Sequence, residues 1–268
     1  MPLPAPSSDS TALITGASAG IGVQLARAFA RRGHGLTLVA RRQERLEELA
    51  GKLGDEFGVR VETVASDVGE PKARDSLARE LEEKGLTVSV LCNNAGFGSG
   101  KPFITLDRER EVEIIRVNCE AIIDLCGRYA PPMAERGEGA ILNVASTAAF
   151  QPLPNQATYA SSKAMVLSFS ESLHQELKPK GVTVTALCPG PVKTEFAEVA
   201  GIAAADSTPS FIWASAEDVA ESAVKGLDSG ERVVIPGAIN EVGAVVGRFT
   251  PRALFLRAAA RFYPVGRD

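Results

Sequence analysis

The stretch Thr11–Gly22, with the sequence TALITGASAGIG, decides the fold of this 268-residue chain. Five β-prone residues lead into glycines at positions 16, 20 and 22, and apolar residues then recur at helical spacing up to Ala30. A strand, a glycine turn and a helix in this order begin a parallel α/β sheet, and such a turn presents backbone N–H groups to an anion. The Gly-x-x-x-Gly-x-Gly spacing differs from the GxGxxG dinucleotide fingerprint, so an ordinary tight turn remains an alternative.

The same alternation continues along the chain. Further apolar strand candidates lie at 36–40, 59–65, 88–96, 139–146, 182–190 and 232–237, separated by helical patterns. Because these runs are almost continuously apolar, they indicate strands that helices cover on both faces. We therefore predict an α/β fold with one domain over 1–268, a doubly wound (Rossmann) sheet of about seven parallel strands. We expect 1–10 to be an extension, 11–240 the core, and 241–268 a C-terminal helical tail.

Composition narrows the class of protein. Lys and Arg number 29 against 33 Asp and Glu, a net charge of -4 that argues against a nucleic-acid partner. The four cysteines have no CxxC or CxxH spacing, so we expect buried thiols and no metal site. No cation precedes Arg27 as it would in a signal peptide, and no uncharged run is apolar enough to cross a bilayer. These features favour a cytoplasmic protein.

Residues 16–20 also match GxSxG, the nucleophile elbow of α/β-hydrolases. A hydrolase needs a later acid and then a histidine on a loop. His34 follows the first helix directly, and we expect His174 to be a solvated or capped residue within a helix. Neither histidine fits the triad, so the hydrolase hypothesis is set aside.

A second motif offers proton chemistry without histidine. Tyr159 and Lys163 are four residues apart in a helical pattern and share one face. With the ammonium roughly 4 Å from the phenol oxygen, we expect the pKa of Tyr159 to fall by up to nearly three units. Such a pair alone also occurs on solvated helix faces. Ser146, however, ends a predicted strand 13 positions earlier, at the sheet edge where this helix begins.

In this setting the sequence resembles the short-chain dehydrogenase/reductase family. The motifs that carry the resemblance are TGASAGIG (15–22), Asp67-Val68, NNAG (93–96), Asn118, Ser146, Tyr159-x-x-x-Lys163, and Pro189-Gly190 followed by Thr194. The resemblance implies an oxidoreductase in which Tyr159 exchanges a proton with the substrate oxygen and Ser146 orients that oxygen. It implies that Lys163 binds the nicotinamide ribose and that Asn118, which needs a polar partner in an apolar helix, anchors a water molecule.

The resemblance also assigns the cofactor contacts. The phosphates would lie over the first turn, the adenine beside Asp67 and Val68, and the adenosine ribose along Asn94, Ala95 and Gly96. The nicotinamide would face the segment after the sixth strand. The residues assigned to the turn are Gly16, Ser18, Ala19, Gly20, Ile21 and Gly22, and those to the nicotinamide are Pro189, Gly190, Val192 and Thr194.

The end of the second strand decides between the two nicotinamide cofactors. Ala40 stands where an acid would bind a ribose 2'-hydroxyl, and Arg41 and Arg42 follow it. With no carboxylate to repel a 2'-phosphate and two arginines to bind one, we expect NADP(H) to be preferred over NAD(H). The arginines are also compatible with a solvated helix start.

For substrate and partners the sequence predicts only a general class. Residues 191–213 stand at the family's substrate loop, and apolar residues there and elsewhere suggest an apolar ketone, aldehyde or secondary alcohol. These residues are Phe97, Phe150, Leu153, Phe196, Phe211, Ile212 and Trp213. A cofactor-binding regulatory protein without turnover is the alternative function. The resemblance implies a homodimer or homotetramer.

The tail departs from the common family pattern. Residues 241–268 carry five arginines against two acids, a local charge of +3, with apolar residues near one helical face. We expect this helix to dock on its own domain or a partner subunit, and peripheral contact with a membrane surface is the alternative.

Overall fold

The protein is described by a computed structural model that covers residues 2–196, 200–201 and 213–262. Within these residues the strands are β1 (Ser10–Thr15), β2 (Leu36–Ala40), β3 (Val61–Ala65), β4 (Thr87–Asn93), β5 (Gly139–Val144), β6 (Val182–Leu187) and β7 (Val233–Val234). The helices are α1 (Gly20–Ala30), α2 (Gln43–Phe57), α3 (Pro71–Glu83), α4 (Arg108–Ile115), α5 (Ala121–Arg136), α6 (Ala157–Leu177), α7 (Ala216–Asp228), α8 (Ala238–Phe249) and α9 (Arg252–Phe262).

The described strands form one parallel seven-stranded sheet in the order β3-β2-β1-β4-β5-β6-β7. Strands β1, β2, β5 and β6 are buried along their whole length, as their continuously apolar sequences predict. The predicted doubly wound sheet is therefore confirmed. The last strand is shorter than the predicted run 232–237, with only two residues paired to β6.

Two apolar layers cover the sheet. On one face α1, α2 and α7 bury side chains such as Phe29, Leu46 and Leu227. On the other, α3, α5 and α6 bury Leu77, Leu125 and Val166. The strand order reverses between β1 and β4, so a crevice opens at the carboxyl ends of these two neighbours.

Both histidines are buried. His174 is not the solvated or capped residue that its helical position suggested, because its Nδ1 lies 2.7 Å from the carbonyl oxygen of Val184 on β6. His34 packs edge-on against Phe29, and burial lowers its pKa. The four cysteines are free and buried, as expected.

The C-terminal tail is helical, as predicted, and α8 docks on its own domain. Ala244 is buried, and a Cβ at Gly247 would lie 2.7 Å from Oε1 of Gln151. The opposite face of α8 exposes Ile239, Val242, Val246 and Phe249, the last 81% accessible. None of the described helices is both long and apolar enough to cross a bilayer. The side chains of Arg248, Arg261 and Phe262, and all of 263–268, lie outside the description.

A buried polar chain ties β4 and β5 to α6. Asn93 donates to the side chain of Asn143 (2.8 Å), Asn143 donates to the hydroxyl of Ser170 (2.9 Å), and Ser170 donates to the carbonyl of Val166 (2.6 Å). Each buried donor is satisfied by the next group, so loss of one member leaves a neighbour unpaired.

We expect Ser170→Ala to lower the free energy of unfolding by about 1–3 kcal/mol, because it leaves the Asn143 amide without an acceptor. Ser172→Ala is the matched control, since that exposed hydroxyl bonds only to the Ser168 carbonyl and its loss should change stability by less than about 0.5 kcal/mol. Urea unfolding of both variants tests this. Equal effects of the two substitutions would contradict it.

Candidate active site

The turn between β1 and α1 has no room for side chains at its glycines. Gly16 and Gly20 adopt left-handed φ angles of 67° and 56°. A Cβ at Gly16 would lie 2.8 Å from Cα of Ala95, and one at Gly22 would lie 2.3 Å from the carbonyl oxygen of Gly16. The turn therefore packs directly against the end of β4, and only glycine fits at these positions.

Polar bonds hold the ends of β1 and β4 together. The hydroxyl of Thr15 accepts the backbone N–H groups of Asn94 and Ala95, both at 3.0 Å. The amide of Asn94 donates back to the carbonyl oxygens of Thr15 (2.8 Å) and Gly16 (3.2 Å). Asn94 thus fixes the floor of the crevice.

The turn fits the phosphates of a dinucleotide. Helix α1 begins after Ala19, which provides no side-chain cap, so its first N–H groups and the positive end of its dipole are available to an anion at the carboxyl end of β1. The side chain of Thr194 stands over the turn, since a Cβ at Gly20 would lie 3.0 Å from its Cγ2. Pro189 accepts a bond from the N–H of Thr147 (2.9 Å), and Val192 pairs with Ala214.

The two predicted arginines lie at the end of β2 and both have acidic partners. Arg42 donates to the Ser18 hydroxyl (3.0 and 3.2 Å) and pairs with the carboxylate of Glu195 at 3.1 Å. Arg41 lies 3.6 Å from each of the Asp67 and Glu113 carboxylates. Ala40 leaves the end of β2 itself without an acid, but residues distant in sequence bring carboxylates to both arginines, which the sequence analysis did not anticipate.

The predicted adenine side of the crevice is polar. Asp67 accepts the N–H of Gly69 (2.9 Å), while Val68 is buried and its carbonyl accepts from Arg74 (2.7 Å). A cavity of about 380 Å³ opens beside Asp67. It is lined by Asp67, Gly69, Glu70, Asp107, Glu109, Arg110, Glu113 and Arg116.

Ser146 and Tyr159 meet beyond the end of β5. Ser146 caps the short helical turn Thr147–Phe150 by accepting the N–H of Ala148 (3.1 Å), and its hydroxyl is near enough to the Tyr159 phenol to affect the phenol's pKa. Burial raises the pKa of Tyr159 to about 12, and the neighbouring Ser146 hydroxyl opposes this rise only in part. The phenol is therefore protonated at neutral pH.

Lys163 shares the buried face with Tyr159 but does not lower the pKa of the phenol as we expected. Its ammonium donates to the carbonyl of Val144 at 2.8 Å and lies 5.8 Å from the centre of the Tyr159 ring. The side chain is 3% exposed, and burial lowers the pKa of Lys163 to about 8. The expected shift counted only the attraction between ammonium and phenolate and left out the cost of burying both groups.

Asn118 has the polar partners that its apolar surroundings require. It lies in a π-helical turn, Arg116–Glu120, between α4 and α5. Its amide donates to the Phe97 carbonyl (3.0 Å) and the Ser162 hydroxyl (2.9 Å), and its oxygen accepts the N–H of Phe97 (3.2 Å). A Cβ at Gly96 would lie 3.0 Å from that oxygen and 3.3 Å from Nζ of Lys163, so these two groups flank one glycine.

An apolar surface adjoins the tyrosine. The ring of Phe196 lies 5.4 Å from that of Tyr159, and a Cβ at Gly98 would lie 2.9 Å from Cδ2 of Tyr159. Phe97, Phe150, Leu153 and Trp213 are half-buried, whereas Phe211 and Ile212 lie outside the described residues. Sequence reasoning did not single out Gly98 or Glu195. The position of Glu195 directly after Thr194 was the available sign.

A family model, several relatives and several solved structures match this chain over most of its length. A family model described as short chain dehydrogenase matches residues 10–203. The very-long-chain 3-oxoacyl-CoA reductase of Anas platyrhynchos is 33% identical over 234 residues, which are 85% of this chain and 72% of that protein. Sulfoacetaldehyde reductase 2 of Chromohalobacter salexigens is 39% identical over 219 residues, 78% of this chain and 84% of that protein. A short-chain dehydrogenase from Sphingobium yanoikuyae, solved in complex with NADPH, superposes with a TM-score of 0.81 at 34% identity, covering 97% of both chains.

We expect Gly22→Ala to lower the free energy of unfolding by about 1–3 kcal/mol and to abolish the thermal shift that a nicotinamide dinucleotide gives, because the new Cβ forces the turn open. Gly51→Ala is the control: this exposed glycine of α2 has open space around it, and alanine there should stabilise the helix by about 0.5–1 kcal/mol. A normal ligand-induced shift in Gly22→Ala would contradict the close packing described.

The pKa of Lys163 predicts a pH-dependent stability cost. The pKa of about 8 in the folded protein lies below the ordinary lysine pKa of 10.5, so the stability cost is full below about pH 8 and disappears as pH rises toward 10.5. Relative to Lys163→Met, the wild type should therefore gain about 2–3 kcal/mol of unfolding free energy between pH 7.5 and 10.

Chemical denaturation at several pH values measures this difference. Lys52→Met, at an exposed lysine paired with Glu48, is the control and should show no such trend. Parallel stability curves for the wild type and Lys163→Met would show that the buried ammonium carries no such cost.

Proposed function

Since the chain belongs to the short-chain dehydrogenase/reductase family and is an oxidoreductase acting on CH–OH and C=O groups, we propose that it is an NADP(H)-dependent carbonyl reductase or alcohol dehydrogenase. The single observation that carries the proposal is that the Ser146 hydroxyl and the Tyr159 phenol are neighbours at the sheet edge where the dinucleotide turn also lies. Two hydroxyls that meet in a buried site can hold one substrate oxygen between them. Cytoplasmic location remains part of the proposal.

The proton chemistry follows from the two hydroxyls. When bound, the reduced nicotinamide supplies a hydride to the carbonyl carbon. Ser146 donates a hydrogen bond to the carbonyl oxygen and fixes its direction, and Tyr159 gives that oxygen its proton. The raised pKa of Tyr159 keeps the phenol protonated at neutral pH, which favours the reductive direction.

Lys163 and Asn118 support this pair. One of the three ammonium donors of Lys163 is used by Val144, which fixes the amine beneath the tyrosine, and others are available to ribose hydroxyls. Asn118 binds both backbone groups of Phe97 and so holds the segment after β4 beside that ammonium. The Asn118 side chain is fully buried, which suits a positioning residue. We propose that Asn118 also anchors a relay water.

Cofactor preference rests on the end of β2. Ser18 and Arg42 are joined by hydrogen bonds and together offer a hydroxyl and a planar guanidinium, the groups that bind a phosphate. The NADPH complex of the Sphingobium yanoikuyae dehydrogenase supports use of a nicotinamide dinucleotide. We therefore expect NADP(H) to bind more tightly than NAD(H).

The substrate is proposed from the surface beside Tyr159. Phe196 and Gly98 pack against the ring of Tyr159, so we expect the group next to the reacting carbon to be apolar. The named relatives act on carbonyl compounds of different size, a long-chain thioester and a small aldehyde. An apolar ketone, aldehyde or secondary alcohol fits this surface.

Self-association is proposed through the helices beside the site. Val112 and Ile115 on α4 and Ile123 on α5 are exposed, and apolar side chains of this size favour burial against a second subunit. We expect a homodimer or homotetramer built on these helices and α6.

A screen of ketones and alcohols, followed by nicotinamide absorbance, tests the proposed reaction. With the best substrate, Tyr159→Phe should lower kcat by at least about 100-fold because the proton donor is gone, while NADPH affinity changes little. Tyr129→Phe is the control, since the buried hydroxyl of Tyr129 has no hydrogen-bond partner among the described residues. Undiminished turnover in Tyr159→Phe would refute the mechanism, and binding without turnover of any substrate would favour the regulatory alternative.

A further inference from the structure

A carboxylate that is distant in sequence binds the arginines at the predicted 2'-phosphate position. Glu195 pairs with Arg42 at 3.1 Å and with Arg45 at 2.7 Å, through its two different oxygens. Arg42 also binds Ser18. Both arginines hold the pKa of Glu195 below its usual range, so the carboxylate is charged at neutral pH.

Glu195 is held at this position from two sides of the crevice. The residue before it, Thr194, packs on Gly20, and the residue after it, Phe196, lies against the ring of Tyr159. The three consecutive residues therefore span the distance from the glycine turn to the proposed proton donor. A carboxylate on this segment stays near Arg42 because its neighbours are packed.

We propose that Glu195 is a cofactor-selectivity residue whose carboxylate competes with the 2'-phosphate of NADP(H) for the guanidinium of Arg42. The inference rests on the proposed use of NADP(H). Glu195 thus lowers the affinity of the protein for NADP(H). The affinity for NAD(H), which lacks the phosphate, is unchanged.

The physical reason is that both anions need the same N–H donors. The ion pairs are exposed, so the competition is modest, and its removal should tighten phosphate binding by roughly two- to five-fold. Arg45 moderates the competition, because it holds the second oxygen of Glu195. Without Arg45 the carboxylate has only Arg42 as a cationic partner among the described residues, and phosphate binding should weaken.

The experiment titrates the full-length protein with NADPH and with NADH, using nicotinamide fluorescence. We expect Glu195→Gln to bind NADPH about two- to five-fold more tightly and NADH as before. Arg45→Gln should weaken NADPH binding by a similar factor, and its combination with Glu195→Gln should remove that loss. Raising the salt concentration should shrink all these differences.

Glu221→Gln is the matched control. Glu221 also bridges two arginines, Arg31 and Arg32, but on the α1–α7 surface, and its neutralisation changes the net charge equally. An equal gain in NADPH affinity in Glu221→Gln, or no gain in Glu195→Gln, would overturn the inference. A wild type that binds NADPH no more tightly than NADH would instead refute the proposed cofactor preference, which separates the two failures.

Discussion

The contact between the first glycine turn and the end of β4 is the constraint on which the rest of the site depends. Gly16 and Gly22 leave no space for a Cβ, and Thr15 and Asn94 close the contact with hydrogen bonds. Because the turn is pressed against the sheet, the start of α1 faces the crevice where the strand order reverses. The positions of Thr194, and through it of Glu195 and Phe196, are set by the same turn.

The groups proposed to carry the reaction at this site are costly to bury. A phenol and an ammonium lie within the protein, and burial shifts the pKa of each toward its neutral form. Local groups offset part of this cost: the Ser146 hydroxyl beside the phenol, and the Val144 carbonyl that accepts a hydrogen bond from the ammonium. Placing the Lys163 ammonium for the reaction therefore lowers the stability of the fold, a trade-off that is common where a charged group is positioned for a reaction.

Sequence predicted the parts of the molecule that depend on local pattern. Continuously apolar runs predicted the parallel sheet, and the position of Ser146 after a predicted strand placed its hydroxyl at the sheet edge where the helix of Tyr159 begins. The predictions that failed concern groups that are distant in sequence and meet only in the folded protein. Glu195 lies 153 positions from Arg42, and the Val184 carbonyl that binds His174 belongs to a strand whose register the helical pattern does not reveal. The pKa of Tyr159 depends on burial, which spacing along a helix does not measure.

The outer face of α8 has a practical consequence for work with this protein. Its inner face holds it to the domain through Ala244 and Gly247, while Ile239, Val242, Val246 and Phe249 face away from the core. The face that folding buries and the face that meets solvent are thus different faces of one helix. Polar substitutions on the outer face offer a way to change adsorption and self-association in solution while the packing that holds the helix, and the crevice beneath it, stays intact.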